Sequence, residues 1–164
     1  MDGDNEHDEI VALDAQTLQL RHRFGLGLLK DSHQLAVGGD ELYVCDTGNH
    51  RLQVFSLAGE HRRSIVGAWR SPVGLCFAKD RLYLVEASRH YHRGLVQGKR
   101  IFVLSLQGDI LQVVTHPTGP SARFQSICCF DRKLLASYYY DPESGRGSAG
   151  RRSREPGILA LQGL

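Results

Sequence analysis

Long apolar runs are missing from this sequence of 164 residues. Nowhere does it contain the roughly 18 consecutive apolar residues that a membrane-spanning helix requires. The first nine residues include five acids and lack the apolar core of a secretory signal peptide. We therefore expect a soluble, cytoplasmic protein that makes no contact with a membrane.

Cysteine is scarce, and its spacing fits neither a disulfide framework nor a zinc site. The four cysteines, at positions 45, 76, 128 and 129, contain no Cys-x-x-Cys pair. All four fall within predicted strands, where the neighbours Cys128 and Cys129 would point to opposite faces of the sheet. The expected state is a set of buried free thiols with no structural metal.

The motifs of covalent catalysis and of nucleotide binding are missing as well. No Gly-x-Ser-x-Gly elbow occurs, and the serines, histidines and aspartates cannot be grouped into a triad from their order alone. Gly25-Leu26-Gly27 lacks the third glycine and the helix start of a dinucleotide-binding turn. The sequence therefore predicts no catalytic residue and no cofactor, and an enzyme is the less favoured interpretation.

What the chain does contain is glycine and short apolar segments of period two. The composition, 41% hydrophobic and 23% charged, is that of one domain with a sizeable core. Eighteen glycines and five prolines mark turns, and no segment keeps a helical period. The net charge of +2 becomes +7 when the five N-terminal acids are set aside. The pattern predicts an all-β protein with a basic body.

The most constrained stretch is residues 35–55, LAVGGDELYVCDTGNHRLQVF, in which two strand patterns flank one turn. Apolar residues on either side of the turn alternate as they do in strands whose two faces meet different surroundings. The turn consists of Asp46, Thr47, Gly48, Asn49, His50 and Arg51. Asp46 can accept backbone N–H bonds from the turn, and Gly48 and Asn49 are the residues that tolerate left-handed backbone. We predict a β-hairpin in which Arg51 could reach back to Asp46.

The hairpin pattern recurs along the chain. Residues 75–86 match residues 35–46 without a gap, and residues 102–108 match residues 53–59 with nine extra residues in the turn, across His90 to Gly98. A copy of the last part of the unit precedes it, from Glu9, and a weaker copy starts at Ile127. A period near 40 built from short strands indicates β-propeller blades more readily than a helical repeat.

Residues 35–59 resemble an NHL repeat, whose Asn-His-Leu signature is similar to Asn49-His50 with Leu52 one position later. The stretch Pro72-Val73-Gly74-Leu75 is similar to the start of a repeat in that family, although residues 86–89 replace the Asp-Thr-Gly-Asn turn. The resemblance implies a partial or open β-propeller of four-stranded antiparallel blades, about three in number. Its segments would be an acidic flexible lead at 1–8, a half-blade at 9–25, blades at 34–66 and 72–116, and a degenerate blade at 124–164 with a loop insertion at 141–156.

Two complete blades with partial ones at each end are too few for a closed ring, since propellers usually close with four to eight. The expected arc would leave strand edges unpaired, and unpaired edges favour further pairing. Three interpretations stay open. The chain is a fragment of a longer protein, it closes by association with another chain, or its half-blade completes the last blade of a small ring.

Basic groups recur from blade to blade, and the repetition would place them on one rim or outer face that contacts a partner protein or phosphates. The predicted contacts are Arg62, Arg63, Arg89, His90, Tyr91, His92, Arg93, Lys99 and Arg100. His90 and His92 could share a metal if their segment were extended, but we interpret them as part of an exposed basic insertion. Asp46 and Glu86 hold equivalent positions, and we predict hairpin acceptors there rather than catalytic acids.

The predicted function is non-enzymatic recognition of another protein by loops on a rigid frame, since loops carry binding more often than frames do. The resemblance also implies recruitment of substrates to a ubiquitin ligase, whose zinc-bound RING module would lie outside this sequence. Binding of single-stranded RNA by a basic face is one alternative. The other is a metal-dependent lyase or lactonase, with loop histidines at its channel. The histidines on or near predicted loops are His33, His50, His90, His92 and His116.

Overall fold

The structure, a computed structural model, describes residues 8–87, 100–115, 122–131, 133–140 and 156–161. These residues form thirteen strands and a short 3₁₀ turn at Thr47–Asn49. The strands are β1 (Asp8–Leu13), β2 (Leu20–Leu29), β3 (Ser32–Gly38), β4 (Glu41–Asp46), β5 (Arg51–Ser56), β6 (His61–Val66), β7 (Pro72–Ala78), β8 (Arg81–Glu86), β9 (Arg100–Leu104), β10 (Ile110–Thr115), β11 (Ala122–Phe130), β12 (Lys133–Tyr140) and β13 (Pro156–Leu161). None of the described residues forms a helix long and apolar enough to cross a membrane.

The strands form four antiparallel sheets, each made of consecutive strands. Sheet 1 contains β1 and β2, sheet 2 contains β3 to β6, sheet 3 contains β7 to β10, and sheet 4 contains β11 to β13. Each strand of sheets 2 and 3 pairs with the next one along the chain. The prediction of an all-β fold with four-stranded antiparallel blades is confirmed. Sheets 2 and 3 occupy residues 32–66 and 72–115, against the predicted 34–66 and 72–116.

Sheets 2 and 3 pack face to face through an apolar layer. Sheet 2 contributes Ala36, Tyr43, Cys45, Leu52, Val54 and Ile65, and sheet 3 contributes Leu75, Leu82, Leu84, Phe102 and Leu104. These residues share a face because cross-strand partners such as Tyr43 and Val54 lie opposite each other in register. Each large side chain buried in this layer stabilises the fold by about 1.5–3 kcal/mol. The layer therefore fixes the two sheets as neighbours.

The opposite faces of the same strands pack on the outer neighbours, since successive side chains of a strand alternate between its faces. From sheet 2, Leu42, Val44 and Phe55 pack against sheet 1, where they meet Ile10 and Phe24. From sheet 3 another set packs against sheet 4: Val73, Cys76, Tyr83, Val85, Ile101 and Val103, which meet Phe124, Ile127, Leu134 and Ala136. Period two in the sequence thus corresponds to two buried faces in the central sheets.

Strand β2 is longer than the sequence predicts. The predicted half-blade ended at Gly25, with Gly25-Leu26-Gly27 as the link to the next unit, but the strand continues to Leu29. Gly25 and Gly27 have positive φ angles of 84° and 76°, and the register with β1 jumps from Phe24 to Leu29. The two glycines form a bulge inside the strand rather than ending it. At the other end of this sheet, Asp8, predicted to belong to the flexible lead, is the first residue of β1.

Sheet 4 has three strands, with β13 antiparallel to β12. Pro156, assigned to the loop insertion by the prediction, begins β13, and the rest of that insertion lies outside the described residues. In the part of the chain that the structure describes, sheets 1 and 4 are separate and share no strand pairing. Completion of the last blade by the half-blade is therefore not observed.

The cysteines are free, but they are not all buried as predicted. Cys45 and Cys76 are buried, Cys129 is half-buried, and Cys128 is exposed. Burial raises the pKa of the Cys76 thiol to about 12. Cys128 is exposed because it lies on the face of β11 turned away from sheet 3, whereas Ile127 points into the layer between these sheets.

Candidate functional site

Asp46 is the polar centre of the repeat turn. Strand β4 ends at this residue and leaves its carboxylate fully buried. One oxygen accepts the backbone N–H of Lys30 at 2.8 Å and the other accepts Nε of Arg51 at 2.7 Å. The side-chain amide of Asn49 donates to both oxygens at 2.9 and 3.0 Å. These charge-assisted bonds offset the cost of burying the carboxylate.

Arg51 and Gln53 extend this network back toward sheet 1. The terminal nitrogen of Arg51 donates to the carbonyl of Leu28 at 3.2 Å, and the amide of Gln53 donates to the same carbonyl at 3.3 Å. The carbonyl of Gln53 in turn accepts the hydroxyl of Ser64 at 2.7 Å. Asp46 and its neighbours therefore hold the segment that leads from sheet 1 into sheet 2.

Glu86 repeats this arrangement in sheet 3, forty positions after Asp46. It is fully buried and accepts the backbone N–H of Arg70 at 3.0 Å. Arg100 donates to its two oxygens at 2.6 and 2.9 Å and to the carbonyl of Ala68 at 3.4 Å. We call each such set an acid–arginine clamp: an acid that ends the second strand, an arginine that begins the third, and an N–H and a carbonyl of the segment that leads into the sheet.

The two clamps differ in the length of chain that they enclose. The first, Asp46 with Arg51, encloses the four residues 47–50, and the second, Glu86 with Arg100, encloses the thirteen residues 87–99. The ends of the longer segment are held together by the same contacts as the ends of the short turn. The frame therefore holds Glu86 and Arg100, which flank the nine-residue insertion in the sequence, in the same arrangement as Asp46 and Arg51.

The first turn also reaches forward to sheet 3. His50 has left-handed backbone, with φ 58° and ψ 32°, and its Nδ1 accepts the backbone N–H of Ser71 at 3.0 Å. The hydroxyl of Thr47 donates to the carbonyl of Pro72. The backbone N–H of Gly48 donates to the carbonyl of Lys30 at 2.8 Å. The turn residues thus bond both to the segment that leads into sheet 2 and to the start of sheet 3.

Two details of the predicted turn are wrong. The left-handed residue is His50, whereas Gly48 and Asn49 have negative φ angles. Gly48 is needed for a different reason, because a Cβ there would stand 2.9 Å from the carbonyl oxygen of Lys30. Asp46 accepts its backbone bond from Lys30 outside the turn and makes no capping bond within it.

Arg62 and Arg63, predicted to contact a partner, lie at the other end of sheet 2 and are engaged there by acids. Arg63 donates to the two carboxylate oxygens of Glu41 at 2.5 and 2.7 Å and to the carbonyl of Leu106, in the turn between β9 and β10, at 3.0 Å. Arg62 donates to Asp40 at 3.0 Å and to Glu41 at 3.1 Å. The hydrogen bonds from Arg63 lower the pKa of Glu41 to about 2, and the hydrogen bonds from Tyr43 and Arg62 make smaller contributions in the same direction.

The predicted basic residues therefore do not share one rim. Glu41 begins β4 and Asp46 ends it, so the group around Arg63 and the group around Arg51 are separated by the length of the strand, about 17 Å. Arg100 lies at the same end as Arg51, where it begins β9. The remaining predicted contacts, Arg89, His90, Tyr91, His92, Arg93 and Lys99, lie outside the described residues.

Of the five histidines considered as alternative metal ligands, two belong to the described residues. His33 lies in β3 and His50 in the first turn, where its Nδ1 faces Ser71. His90, His92 and His116 lie outside the described residues. Within the described ranges, no three His, Cys, Asp or Glu side chains come together as a group that could hold a metal ion.

The second clamp is what reasoning from the sequence missed. The sequence pattern places Glu86 opposite Asp46 but groups Arg100 with the exposed basic residues. Removing the nine inserted residues from the alignment places Arg100 opposite Arg51, so the signal was present. Lys30 and Arg70, the partners from the preceding segment, donate through their backbone N–H groups. Because almost every residue has such a group, the sequence does not reveal these partners.

Comparison with known proteins identifies the repeat and the fold. Residues 33–55 match the family model described as NHL repeat. The structure is similar to hydrazine synthase of Kuenenia stuttgartiensis, with a TM-score of 0.62 at 14% identity over 92% of this chain and 39% of that one. It is also similar to streptogramin B lyase, with a TM-score of 0.60 at 15% identity over 96% of this chain and 48% of that one.

A third similar structure is BamB from Moraxella catarrhalis, with a TM-score of 0.55 at 14% identity over 78% of this chain and 34% of that one. No curated protein sequence matches the chain. The chain spans less than half the length of each of these three structures, and identities this low show the fold alone. Streptogramin B lyase and BamB are β-propellers. Residues 33–55 therefore match the NHL repeat model, and the described residues have the β-propeller fold.

Proposed function

We propose that this chain is a recognition scaffold, which binds another protein through segments enclosed by its clamps and catalyses no reaction. The observation that carries the proposal is the second clamp. Glu86 and Arg100 make the contacts of Asp46 and Arg51 although nine more residues stand between them. A frame that keeps its base while the enclosed segment varies in length is the arrangement in which loops bind partners.

The composition of the enclosed segment supports a protein partner. Residues 88–99, SRHYHRGLVQGK, contain two arginines, two histidines and a tyrosine within the first six positions. Arginine and tyrosine are enriched at the centres of protein interfaces, because they combine apolar area with directed hydrogen bonds. The contacts that we assign to the partner are those of Arg89, His90, Tyr91, His92 and Arg93.

The buried acids of the two clamps are already hydrogen-bonded within the fold. Asp46 and Glu86 are each bonded to an arginine and to the backbone of the segment leading into their sheet. Either acid would have to give up those bonds to act as a general acid or base. This supports binding over catalysis, and the enzymes among the similar structures share the fold alone with this chain.

Recruitment of substrates for a ubiquitin ligase is the specific role that we favour among protein-binding functions. It rests on the NHL repeat at residues 33–55 and on a rigid frame that presents loops. The ligase activity itself would belong to a module outside this sequence.

The test replaces the segment inside the second clamp. In one variant residues 87–99 become Thr-Gly-Asn-His, so that Glu86 and Arg100 are separated by four residues as in the first clamp. In a matched control they become thirteen glycine and serine residues, which keep the length but remove the side chains. Both variants are compared with the natural chain in quantitative affinity capture with mass spectrometry and in urea unfolding.

The proposal expects both variants to keep the unfolding midpoint of the natural chain and to lose the same set of captured proteins. Equal capture by all three proteins would overturn it. RNA is the competing ligand, and labelled single-stranded RNA is tested by fluorescence polarisation at low and high salt. Binding that weakens steeply with salt, as counterion release requires, would replace the protein partner with RNA.

A further inference from the structure

The outermost strand of each of the first three sheets has a free edge. Strands β2, β6 and β10 are terminal in their sheets, and within the described residues no strand pairs with their outer sides. Such an edge presents unpaired backbone N–H and C=O groups, on which another strand can add. Natural proteins commonly protect these edges with charged side chains, glycine or proline.

The three edges differ in that protection. Strand β6 carries His61, Arg62 and Arg63, and β2 carries Arg21, His22 and Arg23 together with two bulge glycines. Strand β10, ILQVVT, contains no charged residue, glycine or proline. Three of its apolar side chains are exposed, namely Ile110 at 43%, Leu111 at 52% and Val113 at 44%.

We propose that β10 pairs antiparallel with β10 of a second copy of this chain, joining two third sheets into one eight-stranded sheet. A two-fold axis at Gln112 places Leu111 of one copy opposite Val113 of the other, and Ile110 opposite Val114. Aliphatic cross-strand pairs of this kind stabilise a sheet. The two Gln112 amides meet at the axis, where each can donate to the other.

Charge argues for a second copy and against the other edges as its site. Two-fold pairing sets a strand against a copy of itself, so that charged residues at or beside the two-fold axis meet like charges. The same pairing through β6 would bring Arg62 and Arg63 of the two copies together, and like charges in opposition destabilise a sheet. Strand β10 has no such charge and is complementary to itself.

This pairing is independent of the proposed recognition function. It uses the outer edge of sheet 3 and involves neither Glu86 nor Arg100. It also differs from closure of the propeller by association, since neither end of the row of sheets takes part.

The test is the mass in solution. A six-residue edge is smaller than a standard interface of about 1,600 Å², so the dimer is expected to be weak and is measured by sedimentation equilibrium from about 1 to 300 µM. We expect the mass to rise from 18.3 kDa toward twice that value with concentration. Leu111→Lys should weaken association at least tenfold, and Val66→Lys on the edge of β6 should leave it unchanged. Circular dichroism checks that each variant is folded.

A cysteine at the axis gives a second readout that does not depend on weakening the dimer. In Gln112→Cys, oxidised glutathione should be reduced to two molecules of glutathione while the two introduced thiols, one from each copy, lose their protons and form one intermolecular disulfide. Arg62→Cys on β6 is the control and should stay uncrosslinked, as should the natural chain with its exposed Cys128. A chain that remains monomeric over the whole range, or a dimer that Leu111→Lys leaves intact, overturns the proposal.

Discussion

Among single side chains, Asp46 makes the most hydrogen bonds that hold the first turn in place. Its buried carboxylate accepts bonds from Lys30, Asn49 and Arg51, so Asp46→Ala leaves an arginine and a backbone N–H without their acceptor. We expect this change to lower the free energy of unfolding by about 3–5 kcal/mol. Asp40→Ala, which removes an exposed partner of Arg62, should cost under about 1 kcal/mol. Urea unfolding of both variants measures the difference, and equal costs would contradict the assignment.

Glu41 makes the stability depend on pH. Arg63 holds the pKa of this carboxyl near 2 in the folded protein, below its ordinary value of 4.5. A lowered folded pKa means that the contribution is complete above about pH 4.5 and is lost as the pH falls toward 2. The Glu41→Gln variant should therefore be less stable than the natural chain at pH 7 and converge with it near pH 2. Urea unfolding at pH 7, 4 and 2.5 checks this, and a difference that stays constant with pH would argue against the pair.

For strands and turns, the second clamp predicts an energetic coupling between Glu86 and Arg100. Arg100→Met leaves a buried carboxylate without its charge partner and should cost about 3–5 kcal/mol. Adding Glu86→Gln removes the orphaned charge and should recover most of that loss. A double-mutant cycle in urea measures the coupling, which should exceed about 1 kcal/mol. Independent, additive costs would show that the two residues do not act as one clamp.

Strands and turns were predictable where a pattern of neighbouring residues determines them. Alternating apolar residues and turn residues placed sheets 2 and 3 near their observed bounds, and the signal is strongest in β4, β5, β8 and β9, where nearly every side chain is buried. The bulge in β2 was not predictable, since Gly25 and Gly27 are equally suited to ending a strand. The left-handed residue of the first turn was not predictable, because His50 is held there by Ser71, which precedes the first strand of the next sheet.

For the molecule as a whole, stability should come from the layers between sheets. Leu84 is fully buried between sheets 2 and 3, and Leu84→Ala should lower the free energy of unfolding by about 2–5 kcal/mol. Leu57→Ala, at an exposed position in a turn, is the matched control and should cost under about 1 kcal/mol. Thermal or urea unfolding compares the two, and similar costs would show that this layer is not the core.

The repeat period near 40 was enough to predict that the sheets pack side by side as blades, because any blade built from four short strands produces such a period. The clamps did not follow from it. Their backbone partners come from segments 16 or more positions away, as Lys30 does for Asp46, and backbone groups are common to every residue. The candidate site was therefore predicted as a set of basic residues, whereas the structure divides the described members between two ends of the sheets.

We expect the stability of the sheets not to depend on the sequence or length of the segment between Glu86 and Arg100, whereas partner binding should depend on both. The most direct measurement is the dissociation constant of a captured partner, determined by calorimetry for the natural chain and for the variant in which residues 87–99 become Thr-Gly-Asn-His. The account predicts affinity at least 100-fold weaker, about 2.7 kcal/mol, with an unchanged unfolding midpoint. Equal dissociation constants for the two proteins would contradict it.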